Sequence, residues 1–166
     1  MGRWGRLAVA GLGAVSLVGA GTTSVGAHGE GRLLEFESMT PVTGAAVGAV
    51  NDRGLVGGGK PWAITSGTGE VDRDGNVEVT VTGLVIPVAP FNSTNPVGAF
   101  KAIVSCVTKG GIVNVSTGTF PASAAGNAAI HARVSLPRHC KHPIVFVTSP
   151  GGAWFAMSNR DDEDDD

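Results

Sequence analysis

Apolar and polar residues alternate with a period of two along several short stretches of the chain. The strictest is Val77-Glu-Val-Thr-Val-Thr82, with Val77, Val79 and Val81 on one side and Glu78, Thr80 and Thr82 on the other. That period belongs to a strand with one buried face. Before it lie a strand predicted over residues 61–71 and the turn Asp72-Arg-Asp-Gly-Asn76, whose Asp, Asn and Gly suit left-handed backbone. The three pieces predict a hairpin, and residues 84–86 prolong its second strand to Pro87. Residues 33–40 alternate as well. Leu34, Phe36 and Ser38 point one way, Glu35, Glu37 and Met39 the other, and Pro41 ends the strand.

The C-terminal half repeats the pattern with a heavier apolar load. In residues 98–107, Phe100, Ala102, Val104 and Cys106 share a face while Ile103 and Val107 lie opposite, so this strand is expected to be covered on both sides. Lys109-Gly110-Gly111 turns the chain into a strand over 112–117. In residues 128–136, Ile130, Ala132, Val134 and Leu136 face inward, and His131, Arg133 and Ser135 outward. A last hairpin joins 144–149 to 153–157 around Pro150-Gly-Gly152. Residues 43–60, rich in Gly and Ala, read as a long loop with a short strand at 46–50. Residues 89–97 and 120–126 are loops, and 137–143 is a connector bounded by prolines. The chain has 26 glycines and no tyrosine, a composition that favours strands and turns over helices. The expected fold is all-β: an antiparallel β-sandwich of about seven to nine short strands, following an N-terminal signal peptide.

Charge divides the chain into three unlike parts. The start carries Arg3 and Arg6, then an apolar stretch over 7–20 that is too short and too rich in glycine for a good membrane span, then small residues ending at Val25-Gly26-Ala27. This is the layout of a signal peptide, residues 1–27, cut near Ala27. Residues 28–32 are expected to be a flexible mature N-terminus, 33–158 the β-sandwich domain and 159–166 a disordered acidic tail. The body between leader and tail is nearly neutral and lacks a basic stripe, which argues against nucleic acid as a partner. No second apolar stretch suits a membrane span, so the mature chain is expected to be secreted.

Cys106 and Cys140 are the two cysteines of the chain. In an exported protein an even count favours a disulfide. A loop of this length stabilises by roughly 3–4 kcal/mol on chain-entropy grounds. The competing reading gathers Cys106, His139, Cys140 and His142 around Zn or Cu, residue types that suit those metals at a crowded His-Cys-x-His spacing. Under the disulfide reading, His139 and His142 are polar residues of a connector and no metal is held.

Other chemistry is sparse. No G-x-S-x-G elbow is present. Asp72-Arg-Asp-Gly-Asn76 resembles the start of a Ca²⁺ loop but lacks the chelating Glu at the twelfth position, where Gly83 stands. Gly57-Gly-Gly59 precedes Lys60-Pro61 and not a helix, unlike a phosphate loop. Asn92-Ser-Thr94 and Asn114-Val-Ser116 match glycosylation sequons. Trp62 and Trp154 fit a core; exposed together on one face, they would form a candidate ligand surface for carbohydrate or peptide.

Several blocks together resemble a family of small exported bacterial proteins with no assigned function. They are Leu34-Glu-Phe-Glu-Ser-Met39, Gly57-Gly-Gly-Lys-Pro-Trp62, Phe100-Lys-Ala-Ile-Val-Ser-Cys106, Val113-Asn-Val-Ser-Thr-Gly118, and the run from Val134-Ser-Leu-Pro to Trp154-Phe-Ala. The resemblance spans most of residues 33–157. It implies one compact domain with paired cysteines and brings no catalytic residue. The resulting expectation is an exported, non-catalytic β-sandwich that binds or builds outside the cell. Its partner would be an extracellular ligand or a cell-surface component, and no cofactor is called for. The alternative is a small secreted hydrolase or metal-binding enzyme using His139, Cys140 and His142.

Overall fold

The computed structural model describes residues 31–159. The segment expected to be a signal peptide, residues 1–27, lies outside the described residues, as do residues 28–30 and residues 160–166 of the expected acidic tail. Ten strands follow in order: β1 Arg32–Phe36, β2 Met39–Pro41, β3 Ser66–Asp72, β4 Asn76–Thr82, β5 Ala99–Thr108, β6 Gly111–Ser116, β7 Phe120–Pro121, β8 Ala128–Arg133, β9 Lys141–Thr148 and β10 Trp154–Ser158. They form two antiparallel sheets. Sheet A has the order β1-β3-β4-β8; sheet B has the order β2-β10-β9-β5-β6, with β7 beside β5.

The β3–β4 hairpin forms as the alternation predicts. Val77, Val79 and Val81 are buried and Glu78 and Thr80 exposed. Burial of each valine contributes about 1.5–3 kcal/mol. At the turn the Asp72 carboxylate accepts the Asn76 N–H at 2.9 Å and its Nδ2 at 2.6 Å, and Gly75 takes φ +88°. A side chain at Gly75 would also run into the Val134 carbonyl, so glycine is needed there twice over. Sheet A closes its inner face with Leu34, Phe36, Val71 and Ile130. Gly69 lies opposite Phe36, and a Cβ there would strike the Phe36 ring at 2.7 Å.

Sheet B is covered on both faces. Ala102, Val104, Cys106, Val145 and Val147 line the face towards sheet A. Ile103, Ser105 and Phe146 point the other way and are buried as well. The outer cover is the glycine-rich segment 43–60, a strap holding a single 3-10 turn at Gly44–Ala46 and a Val50–Val56 bridge. Gly57 pairs with Trp154 in parallel, filling the place beside β10 that β2 is too short to reach. The strap is tied across the sheet by Arg53. Its Nη1 donates to the Ser105 carbonyl and Oγ, each at 3.3 Å, and its Nη2 donates to the His142 carbonyl at 2.9 Å. Asn51 Oδ1 holds the turn by accepting the N–H groups of Arg53 and Leu55.

Several boundaries differ from the pattern in the sequence. The alternating run 33–40 splits, β1 in sheet A and β2 in sheet B, because the chain crosses between the sheets at Glu37–Ser38. Met39 is therefore buried instead of outward. Arg32 opens β1 and is not part of a frayed terminus, and Asn159 is held by Ser38 and Thr40 instead of belonging to a loose tail. Residues 61–65 and 84–86 are not strands; they meet through the Ala63–Val85 bridge. Strand β9 begins inside the expected connector, at Lys141. The short β2 and β7 raise the count to ten.

Candidate functional site

Cys106 and Cys140 are joined in a disulfide with a Cα–Cα distance of 4.7 Å. It pins buried β5 to the connector that carries the chain from sheet A into sheet B. The sulfur of Cys140 is thus committed, and the His139/Cys140/His142 reading loses its thiolate. His139 and His142 are exposed, and the described residues contain no group of three His, Cys, Asp or Glu placed to hold a metal ion.

The two tryptophans do not form a ligand surface. Trp62 is 3 % exposed and stacks on Phe155 at 3.9 Å, with Phe100 edge-on at 6.3 Å. Trp154 is 4 % exposed and packs edge-on to Phe146 at 5.7 Å, on the opposite side of sheet B. Packing is the reason: each indole fills a separate apolar layer, one between the sheets and one on the strap side. Trp154 Nε1 has no hydrogen-bond partner, a cost its ring offsets by the apolar area it buries.

What remains open to solvent and chemically loaded is the outer face of sheet A. The strand register sets Glu35 opposite Glu70, Glu70 opposite Glu78, and Glu78 opposite His131. One residue from each strand thus forms a row across the sheet: three carboxylates ending in an imidazole. Thr68 and Thr80 form a second cross-strand pair beside it, with Glu37 at the end of β1. These residues line a shallow groove of about 470 Å³. Arg32 closes one end by pairing with Glu35 and, at 3.8 Å, with Glu70. At the other end His131 Nδ1 lies 3.9 Å from Glu78 Oε1. No ion pair involves Glu37 among the described residues.

Like charges set directly opposite one another on a sheet are destabilising. Glu70 and Glu78 occupy that arrangement with Glu35 alongside, and one guanidinium serves the row. The arrangement can attract a cationic group, and the two threonines offer hydroxyls to orient it. Each of these carboxylates stands at an ordinary outward position of an alternating strand. Alternation marks Glu35, Glu37 and Glu78 as outward, but their alignment depends on how four strands pair, which the sequence does not show. Comparison of the chain with protein-family models, with curated proteins and with solved structures returns no match.

Proposed function

We propose that the chain is an exported, non-catalytic binding protein that engages a cationic extracellular ligand or cell-surface component through the outer face of sheet A. The observation that carries this reading is the Glu35–Glu70–Glu78 row, in which Glu70 stands directly opposite both Glu35 and Glu78, an unfavourable placement for like charges. Export is supported by the leader-like start of the sequence and by the Cys106–Cys140 disulfide, since such bonds persist in oxidising compartments. The ligand class follows from charge: lysine- or arginine-bearing peptide segments, or polyamine-like groups, meet the carboxylates while the threonines accept or donate hydrogen bonds.

The test is a titration of the mature protein with a short oligolysine peptide, followed by NMR chemical shifts. Shifts centred on Thr68, Glu70, Glu78, Thr80 and His131, weakened by added salt and lost in E70Q/E78Q, support the reading. Shifts scattered over the surface, or an unchanged affinity in E70Q/E78Q, overturn it.

A further inference from the structure

Four strands end the two strand orders, β1 and β8 in sheet A and β2 and β6 in sheet B, while the two-residue β7, which ends in Pro121, pairs with β5 alone. An edge strand offers a row of unpaired N–H and C=O groups and is normally guarded. Three of these edges carry guards. β1 has a register irregularity after Arg32 and the charges of Arg32 and Glu35; β8 carries His131 and Arg133; β2 has three residues and ends in Pro41. β6, Gly-Ile-Val-Asn-Val-Ser, has no ionisable residue, no proline and no irregularity in its pairing with β5. It is exposed along almost its whole length, with Ile112 at 42 % and Val113 at 37 %.

The direction of its backbone groups can be counted from the ladder. The Thr117 N–H donates to the Ala102 carbonyl. Alternate residues of an antiparallel strand face the same neighbour, so Gly111, Val113 and Val115 bond towards β5. Ile112, Asn114 and Ser116 therefore turn their N–H and C=O groups outward.

We propose that β6 is a self-association edge, on which a second copy of this chain pairs antiparallel about a two-fold axis near Asn114. In that register Asn114 meets its own copy and Ile112 meets Ser116 of the second copy, so all three outward residues find partners. Val113 lies against Val115 of the second copy, and the reciprocal pair forms across the axis. These are the closely spaced pairs of an antiparallel ladder, and they cover exposed Val113 and half-buried Val115. Charge selects the occupant. A two-fold axis sets each residue against a near-identical stretch, so a charged edge would repel itself. β6 itself is uncharged, and the nearest ionisable residue along the chain, Lys109, falls opposite Thr119 of the second copy and not opposite another lysine. The Asn114 side chain is already engaged, donating to the Arg53 carbonyl at 2.8 Å, which fixes the strand from its outer face before any partner arrives.

Sedimentation of the disulfide-intact mature protein across a concentration series tests the proposal. The expected result is a concentration-dependent dimer for the native sequence and a monomer for V113K/V115K. Mixing V113K/V115K with V113E/V115E should restore the dimer, because each lysine then faces a glutamate. Should the lysine variant fail to fold, S116P decides: it removes an outward N–H and leaves the ladder to β5 in place, so the dimer should be lost with an unchanged circular dichroism spectrum. A native protein that stays monomeric at its highest soluble concentration overturns the proposal, and so does a dimer that survives these substitutions. Neither result bears on the groove of sheet A, which lies on the other sheet.

Discussion

The two sheets solve the same problem in different ways. Sheet A buries one face and leaves the other to water, so its strands alternate cleanly, as in Val77, Val79 and Val81 against Glu78 and Thr80. Sheet B buries both faces of β5 and β9, and its second layer of apolar residues is covered by a strap of irregular chain. The exposed face of sheet A is therefore free to carry charge, and there the carboxylate row lies. The outer face of sheet B is occupied by structure, and Trp154 on that side is buried against Phe146. Two-sided burial is confined to sheet B, whereas the exposed row of carboxylates lies on sheet A.

Substitutions can break this division. The largest effect is expected from W62A, which empties the aromatic cluster with Phe100 and Phe155 and should cost about 3–5 kcal/mol in denaturant unfolding. Removing the disulfide with C106A/C140A should cost about 2–5 kcal/mol by the same measurement, and a loss well below that range would mean that packing alone holds the connector. R53M should cost about 1–3 kcal/mol, because the Ser105 and His142 carbonyls lose their donor. Its hydrogen exchange should rise in residues 43–60 and not in β3 or β4, which separates a strap held by Arg53 from one held by apolar contact.

On sheet A the sign should reverse. E70Q relieves a repulsive cross-strand pair and should stabilise the fold by about 0.2–1 kcal/mol while weakening oligolysine binding. A destabilised E70Q would show that the Arg32 contact outweighs the repulsion. The smallest effect concerns Asp72. Desolvation pulls its carboxyl upward, but hydrogen bonds from the Asn76 side chain and from the backbone of Asn76, Asp74 and Gly75 together outweigh that and hold it below the ordinary 3.8. Its folded value lies below its unfolded one, so its contribution is present above the ordinary value and is lost as pH falls through the folded one. D72N should therefore flatten the acid limb of the stability curve slightly, read by thermal unfolding at a series of acidic pH values.

The strands that alternate, the turn at Asp72–Asn76 and the doubly covered β5 were legible in the sequence because each depends on neighbouring residues. Side-chain direction has a period of two, and turn residues act within four positions, so Val79 and Gly75 announce their roles locally. The pairing of Cys106 with Cys140 was legible for a different reason, since two cysteines in a chain that reads as exported leave one intramolecular bridge. Tertiary structure alone decided the rest. Met39 is buried because the chain changes sheets two residues earlier, and nothing in its local pattern marks the crossing. Arg53 is buried because a loop folds over a sheet whose strands lie about fifty and ninety residues downstream in the chain. The Glu35–Glu70–Glu78–His131 row exists only once four strands have found their register. Periodicity tells each residue which side of its own strand it occupies; which residues of other strands share that side is set by pairing across long loops, where the sequence carries no local signal.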